Sequence, residues 1–162
     1  MPRKILPKRS RLRLVVLNDS APVLKMLCKW LQEHGHHCET ALLADMPQAQ
    51  DDVGAFIQKH RPDVVIYDVG MPYSSSWDLL EVIRMAPALH SQAFVITTPN
   101  KRKLEQAVGS TSALEIGGPD SDLRRLLKAV EAAADRGAAS SGSGPESTPR
   151  SPWLPNYRRA SK

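Results

Sequence analysis

The sequence predicts an α/β fold: a doubly wound, five-stranded parallel sheet with helices on both faces. Short, wholly apolar runs such as Val64 to Tyr67 recur along the chain, as in strands buried on both sides. Between them lie stretches whose apolar residues repeat at helical spacing. Strand and helix alternate five times, the order that crossover connections in a parallel sheet require.

Each element has its own signal. Leu12 to Leu17 is an apolar first strand, followed by Asn18-Asp19-Ser20, a cluster suited to a turn and a helix N-cap. From Ala21 to Gly35, Val23, Leu24, Leu27, Trp30 and Leu31 mark one helical face, and Gly35 is a suitable stop. His36 to Leu42 is a polar candidate strand suited to a sheet edge, and Pro47 to Lys59 a helix with Val53, Phe56 and Ile57 turned inward. Val64 to Tyr67 runs into Asp68, and a third helix over Ser76 to Met85 turns Leu79, Leu80, Val82 and Ile83 inward. Ala93 to Thr98 is the fourth strand, Lys101 to Val108 a short helix, and Ala113 to Ile116 the fifth strand. Ser121 to Asp135 is the last helix, with Leu123, Leu126, Leu127 and Val130 on one face.

This gives a flexible basic arm over 1–11, one domain over 12–135, and a Gly/Ser/Pro-rich tail over 136–162 that cannot bury enough apolar surface to order itself. Within that tail Trp153, Leu154 and Tyr157 form either a short interaction motif or part of a solvated segment. The net charge of +5 is unevenly spread: residues 1–13 carry six positive charges and no acid, whereas 14–135 hold eleven basic residues against sixteen acidic ones. Basic ends on an acidic body suit solubility or contact with nucleic acid, and steep salt dependence would mark the latter. No apolar run approaches the roughly 20 residues of a membrane span, and no secretory h-region follows the basic start. Two cysteines, Cys28 and Cys38, make no disulfide framework, so a reducing cytoplasm is expected. The spacing of His34, His36 and His37 with these cysteines matches no compact zinc motif.

In open parallel sheets, chemistry gathers at the carboxyl ends of the strands. Asn18 and Asp19 follow the first strand, Asp68 the third, and Thr97 and Thr98 end the fourth. An isolated Asp there often only caps a turn. Two carboxylates, an amide and a hydroxyl together suit a hard divalent cation such as Mg²⁺ and a phosphoryl group on Asp68.

On LRLVVLNDS, RPDVVIYDVGMP, FVITT and EIGGPDSDLRRLLKAV, over about residues 12–135, the chain resembles the receiver domain of bacterial two-component response regulators, a flavodoxin-like fold. The resemblance implies a phosphorelay signalling module rather than an enzyme. Asp68 would accept a phosphoryl group from a histidine kinase or phosphotransfer protein. Mg²⁺ would be held by Asp19, Asp68, Asn18 and the backbone carbonyl of Gly70. Thr97 or Thr98 would sense the phosphoryl group. The family's surface for dimerisation and downstream partners falls on the fourth and fifth strands and helices, where Arg124, Arg125 and Lys128 lie on a polar face that is otherwise simply solvated.

The departures from that pattern are specific. The first of the family's two adjacent acids is Asn18, and its lysine before the last-strand proline is Gly118, followed by Pro119. Its switch aromatic falls on Leu114 or Glu115, and its glycine after Met-Pro is replaced within Tyr73-Ser74-Ser75-Ser76-Trp77. Lys101, Arg102 or Lys103 is a candidate for the missing cation. Two functions fit: a stand-alone phosphoacceptor, or a phosphorylation-independent pseudo-receiver serving as a constitutive binding scaffold. An aspartyl-nucleophile hydrolase fits less well, because the position where such enzymes place a second acid is Gly70.

Overall fold

The computed structural model of the chain describes residues 11–117 and 120–141. Ten main elements follow in order: β1 (Arg13–Asn18), α1 (Ala21–Glu33), β2 (His37–Leu42), α2 (Ala49–His60), β3 (Val64–Asp68), α3 (Tyr73–Arg84), β4 (Phe94–Thr98), α4 (Lys101–Val108), β5 (Leu114–Glu115) and α5 (Asp120–Ser141). The strands form one parallel sheet in the order β2-β1-β3-β4-β5.

Successive strand residues point to opposite faces, so an all-apolar strand must be covered on both. Leu14 and Val16 of β1, Val64 and Ile66 of β3 and Val95 of β4 join Leu24, Leu27 and Leu31 of α1 and Leu126 and Val130 of α5 on one side. Val15, Leu17, Val65, Tyr67 and Ile96 face Val53 and Ile57 of α2, Leu80 and Ile83 of α3 and Leu104 of α4 on the other. Each such side chain, fully buried, contributes roughly 1.5–3 kcal/mol of transfer free energy. The doubly wound sheet is therefore a consequence of the apolar runs.

Local signals hold where they are chemical. Ser20 accepts the Val23 N–H and caps α1, and Asn100 does the same for α4 with the Lys103 N–H at 3.0 Å. Beyond α1, Gly35 has φ +90, a left-handed conformation that suits glycine. The polar strand β2 does lie at the sheet edge.

Two helices are longer than the sequence predicts. α3 begins at Tyr73, and in its first turn Ser76 is buried and its carbonyl accepts from the Tyr67 hydroxyl at 2.9 Å. That tertiary contact outweighs the weak helix propensity of Ser74-Ser75-Ser76. α5 continues to Ser141, past the predicted end at Asp135, so the first residues of the expected tail are helical. Gly137 within that extension packs near Ala93. Val82, expected inward, is exposed on α3. The arm at 1–10, Gly118, Pro119 and the tail with Trp153, Leu154 and Tyr157 lie outside the described residues.

His36 ties the start of the first strand to the turn before the edge strand. It is buried, and its Nδ1 accepts the Leu12 N–H at 3.2 Å, which requires the neutral ring. Burial, and then the nearby His34, hold its pKa below the ordinary histidine value. A histidine with a depressed folded-state pKa leaves stability unaffected well above the unfolded value. Stability then falls as the pH drops below about 6.5, where the unfolded chain takes up the proton first. Thermal midpoints measured from about pH 7.5 to about pH 5.5 should fall by several degrees, and His36→Gln should flatten that slope. Equal slopes would remove His36 as the cause.

Candidate functional site

The register of the sheet brings the site together. Asp68 lies directly beside Thr97 across the β3–β4 pair, and β1 on the other flank ends at Asn18. All three are at the carboxyl edge and all are buried: Asn18 is 4% exposed, Asp68 9% and Thr97 0%.

The Thr97 hydroxyl donates to Asp68 Oδ1 at 2.7 Å. Asn18 Nδ2 donates to Asp68 Oδ2 at 2.6 Å and to the Asp68 carbonyl at 3.0 Å. Asn18 Oδ1 accepts the Ser20 N–H at 2.6 Å, so as placed the amide is a donor to Asp68 rather than an oxygen ligand beside it. Burial pushes the Asp68 carboxyl above its ordinary pKa, and the hydrogen bonds from Thr97 and Asn18 pull it part of the way back. Among the described residues no lysine or arginine forms an ion pair with Asp68. The site therefore holds one buried carboxylate steadied by neutral donors alone, an arrangement in which a cation is electrostatically favoured.

The two threonines divide their roles. Thr97 reaches Asp68, whereas the Thr98 hydroxyl donates to the Val69 carbonyl at 3.0 Å and fixes the loop that leaves β3. Asp19 is exposed at the same edge, and its charge contributes to raising the Tyr67 pKa. Gly70 is half-buried two residues past Asp68, with open space beside its Cα. Sequence reasoning missed Tyr67 as part of the site's support; a lone hydroxyl in an otherwise apolar strand was the available signal.

The opening turn of α4 carries Lys101, Arg102 and Lys103, three cations against the unfavourable end of the helix dipole. Lys101 is half-buried and the other two are exposed. On α5, Arg124 and Lys128 are exposed, while Arg125 is engaged within the chain by Asp122 and by the Glu115 carbonyl. Trp77 lies on α3, packed at the edge of the core, and its Nε1 donates to Glu81 at 3.0 Å. Among the described residues no helix is long and apolar enough to cross a membrane.

No family model matches the sequence, and no curated protein matches it. Solved structures do. Chemotaxis response regulator CheY4 of Vibrio cholerae is 26% identical, with a TM-score of 0.52 over 75% of this chain and 99% of that one. A putative response regulator from Chloroflexus aurantiacus is 21% identical, with a TM-score of 0.52 over 75% of this chain and 98% of that one. The response regulator PhyR from Brucella abortus is 13% identical, with a TM-score of 0.56 over 82% of this chain and 52% of that longer one. Five parallel strands in this order and these likenesses agree: the chain has the flavodoxin-like fold of CheY-like response-regulator receiver domains.

Proposed function

We propose that the chain is a phosphorelay receiver that accepts a phosphoryl group on Asp68 and signals through protein contacts. The observation that carries this reading is the buried Asp68 carboxylate at the strand edge, with the Thr97 hydroxyl 2.7 Å away and open space beside Gly70. In the reaction an Asp68 oxygen forms a bond to phosphorus as the N–P bond of a donor phosphohistidine breaks. The donor imidazole keeps the bonding electron pair. The Thr97 hydroxyl, released from Asp68 Oδ1, then donates to a phosphoryl oxygen.

Two carboxylates at one edge, with no cation paired to the buried one among the described residues, fit Mg²⁺, which accepts one or two carboxylates and retains waters. Asp68, Asp19 and the Gly70 carbonyl would hold it, and bound there it would offset the negative charge of the phosphoryl oxygens. Asn18 would serve as a donor to Asp68. We assign the phosphoryl source to a histidine kinase or phosphotransfer protein in the cytoplasm. The output surface is α4, β5 and α5, with Arg124 and Lys128 toward a downstream partner or a second copy of the chain.

The test is intact mass after incubation with acetyl phosphate and Mg²⁺. One phosphoryl adduct is expected on the wild type and none on Asp68→Asn. No adduct on a folded wild-type chain would instead support a constitutive binding scaffold. A reading of that kind is favoured by the two neutral donors that already satisfy both Asp68 oxygens.

The same variant has a stability signature. A carboxyl whose folded-state pKa is raised contributes stability that is complete below its unfolded pKa of about 3.9, and this is lost as the pH rises through the folded value. Ionised Asp68 therefore weakens the fold at neutral pH. Asp68→Asn should melt a few degrees higher than the wild type at about pH 7, with a smaller gain at about pH 4. A gain that does not change with pH would contradict this cause.

A further inference from the structure

Asn18 is bonded in two directions at once. Its oxygen accepts the Ser20 N–H at 2.6 Å, while its amino group meets Asp68 Oδ2 at 2.6 Å and the Asp68 carbonyl at 3.0 Å. The ends of the amide are not interchangeable, because the Ser20 N–H can only donate and both Asp68 oxygens only accept. Turning the group over would set donor against donor and acceptor against acceptor. With Asn18 only 4% exposed, little water is at hand to repair the mismatch. The amide is also anchored from behind. Ser20, whose N–H it holds, is the N-cap of α1 through its own hydroxyl, so displacing Asn18 disturbs the first turn of that helix.

An amino group 2.6 Å from a carboxylate oxygen lies along one of the directions from which a cation would approach. It brings partial positive charge to that spot, and it needs no ion to do so. We propose that Asn18 is a built-in competitor of the divalent cation: its amide donates where the ion would bind, and it holds Asp68 in place without metal. This deepens the assignment of Asp68 as the acceptor and rests on it. The consequence is a receiver whose ground state is already satisfied, so that Mg²⁺ must displace a hydrogen bond coupled to α1 before it can bind. Asn18 is here a positioning residue and not a ligand.

The competition separates two explanations of weak magnesium binding. If the site merely lacks a negative charge, removing the amide gains nothing. If the amide competes, removing it frees Asp68 and the affinity rises. Isothermal titration of MgCl₂ alone into the full-length chain distinguishes them. Asn18→Ala is expected to bind Mg²⁺ at least about threefold more tightly than the wild type. Asn18→Asp, which adds a carboxylate as well, is expected to gain at least about tenfold, since affinity grows with ligand charge.

Equal or weaker binding by folded Asn18→Ala would overturn the proposal, even if Asn18→Asp gained affinity. Should Asn18→Ala fail to fold, Asn18→Ser, which adds no charge, can still accept the Ser20 N–H and lacks the amino group, decides beside the wild type through thermal midpoints with and without about 10 mM Mg²⁺. Magnesium should raise the midpoint of the variant by several degrees and leave the wild type within about one degree. Equal shifts in both would overturn the competition. No phosphoryl donor enters these titrations, so a failure of Asp68 to become phosphorylated would be seen separately.

Discussion

Replacing Tyr67 by alanine is expected to cost about 3–5 kcal/mol, enough to leave a chain at the low end of ordinary stability (about 5–15 kcal/mol) partly unfolded at 37 °C. Tyr67 is among the largest fully buried side chains, and it stands in β3 immediately before Asp68. Its ring fills the space between the sheet and α3, and its hydroxyl holds the Ser76 carbonyl at 2.9 Å. Tyr67→Phe keeps the ring and loses only that bond, so about 1 kcal/mol is expected. Denaturant midpoints for the two variants separate packing from hydrogen bonding. Burial pushes the Tyr67 hydroxyl up to about 12. Because its folded-state pKa is raised, the stability it contributes is complete below about pH 10 and is lost as the pH climbs through the folded value. Tyr67→Phe should therefore blunt alkaline unfolding, and unchanged alkaline sensitivity would point to another group.

Thr97→Val is the second large effect. The substitution keeps the shape and removes the donor to Asp68 Oδ1, leaving a buried carboxylate oxygen without that partner. Hydrogen bonds to charged groups are worth about 1.5–3 kcal/mol, and that loss is expected in urea unfolding near neutral pH. Adduct formation with acetyl phosphate should slow at least about tenfold, in the range of one lost donor to developing charge. Thr98→Val removes a bond to the Val69 carbonyl, with an expected cost of about 1 kcal/mol and a much smaller effect on the phosphorylation rate. Equal rate effects from the two threonines would contradict the division of roles seen at the β4 end.

How far the sequence could be read depended on whether a feature was local. The buried strands were legible because a run such as Val64-Val65-Ile66-Tyr67 has no polar side to expose. The polar edge strand was legible for the converse reason. α4 was placed at Lys101 to Val108, and in the fold local chemistry marks both its ends, Asn100 as N-cap and Gly109 just past the last residue. The start of α3 was not, because Ser74-Ser75-Ser76 is helical through a contact made by Tyr67, nine residues earlier for Ser76. Val82 was misplaced because four apolar positions were given to one face that takes only some of them. At the site, the meeting of Asn18, Asp68 and Thr97 followed from strand ends alone. Which threonine touches Asp68, and which way the Asn18 amide faces, depended on β-sheet register and on a single N–H two residues downstream.

The strand order also sets a sequence of events for a chain emerging from synthesis. β1 lies in the interior of the sheet, between β2, about 24 residues away at the Leu12–His36 contact, and β3, 50 residues away at Asn18–Asp68. The nearer closure can form as soon as α1 and β2 are made, but it leaves the other margin of β1 open. The farther one must wait for residues beyond 60 and carries the larger loop-closure entropy. Asp68 must then wait a further 29 residues for Thr97. The pocket of Asn18, Asp68 and Thr97 thus comes into being only when the β1–β3 closure and the β3–β4 pairing are both complete. A nascent or damaged chain that has made only the β1–β2 closure has no such pocket, so an assembled Asn18–Asp68–Thr97 cluster reports that β1, β3 and β4 have been brought side by side.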